Sequence, residues 1–281
     1  MLKISKYILL SCCTLITISV LAHEFWLQPN QYFFAVNEVA NIRFNVGEDF
    51  TGENWKGNRN RVQQLIHYAP DNTTTDISNK LSSSEGDSLQ LPITQEGTHM
   101  VIFNSTNSFI QLEAKKFNDY LIEDGLQYVF AYRKTNRELD STGREHYQRS
   151  VKTIFQCGKA TTNACTKPTS LPLDIVPETN PYKIVPNHSV TNNGGTDNTN
   201  RFRIIFKSNP LGKTLVKHWY KKNDGTFTHD NVYTNKKGWV TLLQRNGPNM
   251  VSCVYMEKNT TDNKAQWQSY WASVTFEIKK R

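Results

Sequence analysis

His23 is the residue whose position points most directly to chemistry. It follows a short basic start, an uncharged apolar run over residues 7–21 and the small residue Ala22, an order typical of a cleavable secretory signal. Cleavage after Ala22 makes His23 the N-terminus, where its α-amine and imidazole Nδ1 form a bidentate chelate. Both nitrogens suit nickel, cobalt, copper or zinc. The sequence therefore predicts half of a transition-metal site; a histidine that merely happens to follow the cleavage site is the alternative.

The N-terminal segment also indicates where the protein works. Residues 1–22 are predicted to be a signal peptide, so the mature chain is expected in a bacterial periplasm. It is expected to be soluble, because no later stretch has the apolar length of a membrane helix. Two alternatives stay open: an uncleaved N-terminal anchor, and a lipoprotein modified at Cys12 in a loosely lipobox-like sequence.

The other histidines do not form a local metal motif. They are His67, His99, His146, His188, His218 and His229. None stands in a His-x-x-x-His or His-Glu-x-x-His spacing, so any metal site must combine distant segments. His99 lies in an expected strand after Gly97, where a lone histidine is more often structural than a ligand. His218 and His229 flank a polar hairpin and are expected to be solvated.

Motifs for several other functions are missing from the sequence. There is no Gly-x-Ser-x-Gly elbow, P-loop or dinucleotide-binding Gly-x-Gly-x-x-Gly, so we expect no enzymatic activity. The net charge is +8, but lysine pairs such as Lys221-Lys222 and Lys236-Lys237 are short and scattered. Nucleic-acid binding needs a concentrated basic patch, so we expect no nucleic-acid partner.

Three of the five cysteines remain after cleavage at Ala22. Cys157 and Cys165 flank a polar loop, which in an oxidising compartment predicts a local disulfide. Cys253 lies in an alternating, apolar-rich stretch and is expected to be a buried thiol. Because no Cys-x-x-Cys pair is present, a structural zinc site is not expected.

Strand patterns dominate the chain, with alternating or β-branched apolar residues that end at turn residues. They cover residues 39–46, 98–103, 201–206 and 273–278. Helical spacing is confined to the middle: residues 114–123 predict a helix that ends near Gly125, and residues 144–155 predict a second. The predicted fold is mainly β, with two immunoglobulin- or transthyretin-like sandwiches and one or two helices inserted in the N-terminal half.

Prolines and a polar run between residues 177 and 200 indicate a linker. Residues 23–185 and 186–281 are therefore expected to form two domains. In the second, Trp267 and Trp271 share one strand face. We expect both in the core, with a carbohydrate-stacking platform as the alternative.

Several sequence blocks, taken in order, resemble one family over nearly the whole mature chain. They read HEFWLQP from His23, VGE from Val46, KFNDYL from Lys116, EDGL from Glu123, REHYQR from Arg144, LPLDIVP from Leu171, WQSYWA from Trp267 and TF from Thr275. These blocks are similar to the DUF4198 family, which is labelled nickel-uptake substrate-binding or NikM-like.

The resemblance implies an exported protein for nickel or cobalt uptake, with a membrane metal permease as partner. It puts the metal at His23 and His99. Family members often carry two further histidines, one after Val-Gly-Glu and one in a late strand, and here those positions are Asp49 and Tyr255. The implied site is therefore weaker or altered, with Asp49 able to supply an oxygen and Tyr255 an axial ligand.

Three functions stay open at this point. The leading hypothesis is a periplasmic binding protein for a divalent transition metal, nickel or cobalt with copper as an alternative, that uses His23, His99 and either Asp49 or Tyr255. The second is a β-sandwich module that binds a protein or glycan without metal. The third is a copper oxidase of the histidine-brace type, which needs redox turnover that no other residue indicates.

Overall fold

The fold is that of a computed structural model, which describes residues 24–55, 59–82, 87–183 and 198–279. His23 and the predicted domain boundary at 185/186 lie outside these ranges. The strands are β1 (Glu24–Pro29), β2 (Phe33–Phe34), β3 (Val39–Glu48), β4 (Thr51–Asn54), β5 (Val62–Tyr68), β6 (Thr74–Asp76), β7 (Ser88–Pro92), β8 (Gly97–Ser105), β9 (Ser108–Leu112), β10 (Gly143–Cys157), β11 (Leu173–Pro177), β12 (Thr199–Phe206), β13 (Asn209–Pro210), β14 (Leu215–Lys221), β15 (Phe227–Tyr233), β16 (Trp239–Leu243), β17 (Gly247–Lys258) and β18 (Trp267–Ile278). The helices are α1 (Ala114–Glu123) and α2 (Gln127–Thr135), and short 3-10 turns lie at Arg59–Arg61, Ser78–Lys80 and Ala164–Thr166.

Ten strands form one continuous central sheet. Its main path runs β15-β14-β17-β18-β10-β8-β5-β6, and β2 and β9 also pair with β10. β10 joins the two halves of the sheet, because it pairs with β8 in antiparallel and with β18 in parallel orientation. Strands from the N-terminal and C-terminal parts of the chain therefore share one hydrogen-bonded layer.

Two four-stranded sheets cover the central sheet. One contains β1, β3, β4 and β7, and its core includes Phe44 and Phe103. The other contains β11, β12, β13 and β16, and its core includes Phe202 and Val274. Because successive side chains of a strand point to opposite faces, β8 contributes to both cores and all nine of its residues are buried. The mainly β, sandwich-like fold class is confirmed.

The first predicted helix is confirmed and the second is wrong. α1 spans residues 114–123 as expected, but residues 144–155 lie in β10, and the second helix is α2. Residues 150–157 of β10 are all buried. A strand that is covered on both faces loses its period-two pattern, so apolar residues of β10 fell at helical spacing without forming a helix.

The two helices pack together against a third apolar cluster. Phe117 and Leu121 of α1 and Val129 of α2 contact this cluster, which also contains Trp267 and Trp271 of β18. Both tryptophans are buried, as predicted for core residues. Among the described residues, neither helix is long and apolar enough to cross a membrane.

The predicted Cys157–Cys165 disulfide is not formed. All three described cysteines are buried free thiols. Cys157 belongs to the core beneath β1 and β3, and Cys165 to the core beneath β11 and β12, on opposite faces of the central sheet. A disulfide needs Cβ atoms about 4 Å apart that face each other, which this arrangement prevents. Cys253 is buried, as predicted.

Candidate functional site

A cleft of about 190 Å³ opens where the described chain begins, and we call it the acidic cleft. Its lining residues are Glu24, Gly47, Glu48, Asp49, Tyr120, Glu123, Asp124, Lys217 and Trp219. Five of them are carboxylates and one is a lysine. The surplus of negative charge favours a cationic occupant.

Three parts of the fold position the carboxylates. Glu24 opens β1 and pairs with Gly47 near the end of β3. Asp49 follows β3 with a φ of 53°, in the left-handed region that short polar residues tolerate in tight turns. Glu123 and Asp124 stand at the C-terminal end of α1, where the helix dipole disfavours negative charge. A nearby cation is therefore needed at this end of the cleft.

Lys217 of β14 supplies that cation. Its Nζ lies 2.6 Å from Asp124 Oδ1, and the two side chains are only 10% and 8% exposed. Burial raises the pKa of Asp124, and Lys217 opposes the shift. Burial by itself lowers the pKa of Lys217, but the carboxylates of Asp124 and Glu24 outweigh it and raise the pKa. Lys217 is therefore charged at neutral pH and bound to one wall of the cleft.

Glu24 is held by a short hydrogen-bond relay. Trp219 Nε1 donates to Ser252 Oγ over 3.0 Å, and Ser252 Oγ donates to Glu24 Oε1 over 3.1 Å. Glu24 is 8% exposed, and burial raises its pKa to about 7. The Glu24 carboxyl therefore gains or loses its proton close to neutral pH.

The same relay recurs behind the cleft around Glu145. Trp271 Nε1 donates to Ser269 Oγ over 3.0 Å, and Ser269 Oγ donates to Glu145 Oε1. Tyr120, which lines the cleft, donates its hydroxyl to the same oxygen over 3.4 Å. Burial raises the pKa of Glu145 to about 7. Two buried, protonatable carboxyls thus lie in or directly behind the cleft.

His229 is a candidate donor that sequence reasoning missed. It was expected to be solvated, but it is half-buried, with its ring centroid 4.2 Å from that of Trp219. Burial and Lys217 lower the pKa of His229, so its ring is neutral at neutral pH. Neither ring nitrogen has a hydrogen-bond partner among the described residues. The Asp224-Gly225 turn could have revealed this placement, because it sets the hairpin register that pairs Trp219 with His229.

His218, the other histidine expected to be solvated, is buried. Its Nε2 lies 2.9 Å from Asn249 Oδ1 in the interior of the central sheet. The expectation failed because β14 is covered by β15 on one edge and by β17 on the other. His218 therefore has a structural partner and does not line the acidic cleft.

Of the four predicted metal ligands, the structure puts one at the cleft. Asp49 lines it, and His23 lies outside the described residues. His99 is buried elsewhere: its Nδ1 lies 2.9 Å from His67 Nε2, and its Nε2 lies 3.0 Å from the carbonyl oxygen of Gln95. Both ring nitrogens of His99 are thus engaged in hydrogen bonds within the sandwich.

The sheet register separates His99 from Glu24. Ser252, which contacts Glu24, is three strands away from His99 in the order β17-β18-β10-β8 and four residues away along them. At the usual strand spacing and rise this is about 20 Å. The structure therefore does not bring His99 to the start of β1.

Tyr255 also lies away from the cleft. Its ring packs on Phe206, with centroids 4.4 Å apart, and on Tyr128. Tyr255 and Ser252 are an odd number of residues apart in β17, so their side chains point to opposite faces of the central sheet. Tyr255 therefore cannot share a site with Glu24.

Within the described ranges, no group of three or more His, Cys, Asp or Glu side chains is arranged to hold a metal ion. The acidic cleft offers carboxylate oxygens, which suit hard cations better than soft ones. The nitrogen donors that nickel, cobalt or copper prefer must therefore come largely from outside this set.

Comparisons with known proteins place the chain in a family. No curated protein matches it. Similar solved structures include a Salmonella alpha-2-macroglobulin mutant (11% identity, 90% of this chain and 15% of that chain, TM-score 0.24) and a tetra-tandem repeat from the extending region of a large adhesion protein (10%, 91% and 49%, TM-score 0.21). The chain thus spans 15% and 49% of these two, and such TM-scores support no functional comparison. Residues 20–257 match the family described as "Domain of unknown function (DUF4198)", so the chain belongs to the DUF4198 family.

Proposed function

We propose that the mature protein is a periplasmic binding protein for a divalent transition metal ion, held at the acidic cleft by His23. One observation carries the proposal: Glu24, the residue joined to His23, lines the cleft together with Asp49. Consecutive Cα atoms are about 3.8 Å apart across a trans peptide bond. We therefore expect the amine and imidazole of an N-terminal His23 to reach the cleft.

The proposed ligand set differs from the one drawn from sequence. His23 provides two nitrogens and Asp49 an oxygen, while His99 and Tyr255 are left out because they lie elsewhere in the fold. His229, whose neutral ring packs against Trp219 of the cleft, is a described imidazole that can complete the set. Such a mixed nitrogen and oxygen site suits nickel, cobalt or copper, and a membrane metal permease remains the proposed partner for uptake.

Metal titration by calorimetry tests the proposal. The sample is protein that mass spectrometry shows to begin at His23, and the matched control carries one extra N-terminal residue, which removes the free amine of His23. We expect stoichiometric binding of Ni²⁺, Co²⁺ or Cu²⁺ to the processed protein and a sharp loss in the extended one. Binding should weaken as pH falls, because the amine and imidazoles must be deprotonated to bind metal.

Point variants identify the remaining ligands. Asp49→Asn and His229→Gln should each weaken metal binding by roughly 10–100-fold, the usual effect of removing a supporting group. His67→Gln, in the histidine pair far from the cleft, should leave the affinity unchanged. Equal affinity in the processed and extended samples, or no metal binding at all, would overturn the proposal.

A further inference from the structure

A second buried lysine–aspartate pair lies away from the acidic cleft, where β10 of the central sheet meets β11 of the outer sheet. The side chains of Lys152 and Asp174 are only 1% and 2% exposed, and Lys152 Nζ contacts Asp174 Oδ1. Apart from each other, these two atoms have no hydrogen-bond partner in the described part of the chain. The amine nitrogen and the carboxyl carbon are thus held next to each other in the interior.

The other carboxylate oxygen of Asp174 is fixed by Thr169. Oδ2 accepts hydrogen bonds from the Thr169 backbone N–H over 2.7 Å and from the Thr169 hydroxyl over 3.0 Å. These two donors orient the carboxyl group so that Oδ1 faces Lys152. They also stand where negative charge would collect if a nucleophile added to the carboxyl carbon, which is the arrangement of an oxyanion hole.

Three described groups on which the pair acts electrostatically are uncharged. Burial is the main cause that raises the pKa of the Cys165 thiol, the Cys253 thiol and the Tyr68 hydroxyl. Lys152 also affects the pKa of Cys165, and Asp174 affects those of Cys253 and Tyr68. All three are neutral at physiological pH. An ammonium and a carboxylate are unfavourable in such an interior, whereas an amide between the same atoms carries no charge.

We infer that Lys152 and Asp174 become joined by an intramolecular isopeptide bond. A proton moves from Nζ to Oδ1 within the ion pair, and the resulting neutral amine attacks Cγ of Asp174. The Nζ–Cγ bond forms, Thr169 stabilises the charge on Oδ2, and a second proton passes from Nζ to Oδ1. The Cγ–Oδ1 bond then breaks and Oδ1 leaves as water. The reaction is a condensation and needs no oxidant, reductant or co-substrate.

The Lys217–Asp124 pair is an internal comparison. Its side chains are more exposed, at 10% and 8%, and line the acidic cleft. The second carboxylate oxygen of Asp124 accepts no hydrogen bond from the described residues, so it lacks the paired donors that Thr169 gives to Asp174. We therefore expect a bond at Lys152–Asp174 and none at Lys217–Asp124.

Mass spectrometry of the folded protein tests the inference. Formation of the bond removes one water, so the intact mass should be about 18 Da below the value calculated from the sequence. Tandem mass spectrometry of a tryptic digest should find the peptides that contain Lys152 and Asp174 joined. Lys217→Arg should keep the mass deficit, and Lys152→Arg should abolish it.

The decisive measurement is the mass of the wild-type protein, because Lys152→Arg places a larger side chain in a buried site and can impair folding. An intact mass of the folded wild-type protein that equals the value calculated from the sequence would overturn the inference. So would a deficit that maps to another residue, such as a succinimide elsewhere or a link at Lys217–Asp124.

Discussion

Two residues, Glu24 and Glu145, set the pH response of the cleft region. Each accepts a hydrogen bond from a serine that in turn accepts one from a tryptophan. Burial is the main reason that the pKa of each rises to about 7. A carboxyl with a raised pKa is stabilised in its protonated form, so ionisation near neutral pH works against the fold.

The first prediction concerns the pH dependence of stability at Glu145. Its pKa is about 7 in the folded protein against 4.5 for an ordinary glutamate. Below pH 4.5 the group is protonated in both states, and its contribution is fully present. As pH rises through 7, that contribution to the free energy of unfolding is lost. It amounts to about 3 kcal/mol, because each unit of pKa difference between the folded and unfolded states is worth 1.36 kcal/mol.

Glu145→Gln removes this ionisation while keeping a side chain of similar shape. Relative to wild type, the variant should therefore gain about 3 kcal/mol in free energy of unfolding between about pH 4 and about pH 8. Urea unfolding of metal-free protein at both values measures the difference. The exposed Glu53 in β4 is the matched control, and Glu53→Gln should follow wild type. The same pH profile in wild type and Glu145→Gln would contradict the pKa shift.

At the scale of secondary-structure elements, the position of α1 depends on a close contact between its Phe117 ring and the backbone of β10. Gly143, the first residue of β10, lies directly against the ring of Phe117 in α1. A Cβ atom built at Gly143 would lie 2.1 Å from Phe117 Cγ, far inside van der Waals contact. The packing of α1 on the central sheet therefore requires glycine at this position.

The second prediction follows from this contact. Gly143→Ala should reduce the free energy of unfolding by about 1–3 kcal/mol, because overpacking forces α1 away from β10. The double variant Gly143→Ala/Phe117→Leu should recover part of the loss, since the smaller side chain makes room. Urea unfolding of both single variants and the double variant gives the coupling energy. If the two losses simply add, the steric explanation is wrong.

At the scale of the whole molecule, the parallel pairing of β10 with β18 joins the N-terminal and C-terminal parts of the chain in one sheet. The core between the central sheet and β12 draws Met100 and Ile154 from the N-terminal part and Phe202 and Val274 from the C-terminal part. Residues on both sides of the predicted boundary therefore bury each other. We expect the two parts to unfold together.

The third prediction tests this coupling with Ile154→Ala. Ile154 is fully buried in β10, and its truncation should cost about 2–5 kcal/mol. We expect one shifted transition, with coincident midpoints by far-UV circular dichroism and by tryptophan fluorescence. Val39→Ala, at an exposed position of β3, is the control and should leave the midpoint nearly unchanged. Two separate transitions would show that the two parts fold independently.

Local sequence patterns were enough to predict much of the secondary structure and to identify the family. The spacing of Phe117, Tyr120 and Leu121 predicted α1. Period-two alternation predicted β3, and a β-branched apolar run predicted β8. The shared face of Trp267 and Trp271 predicted their burial. These predictions succeeded because side-chain direction along a helix or strand depends only on neighbouring residues.

Only the tertiary structure decided how distant segments meet. It made residues 144–155 a strand, put Cys157 and Cys165 in separate cores, and gave His99 the partner His67. It also gathered the start of β1, the end of α1 and β14 around one cleft, where Asp49 lies and His99 does not. Strand order and register in the central sheet produce each of these outcomes. They depend on contacts between residues far apart in sequence, so no local spacing could reveal them.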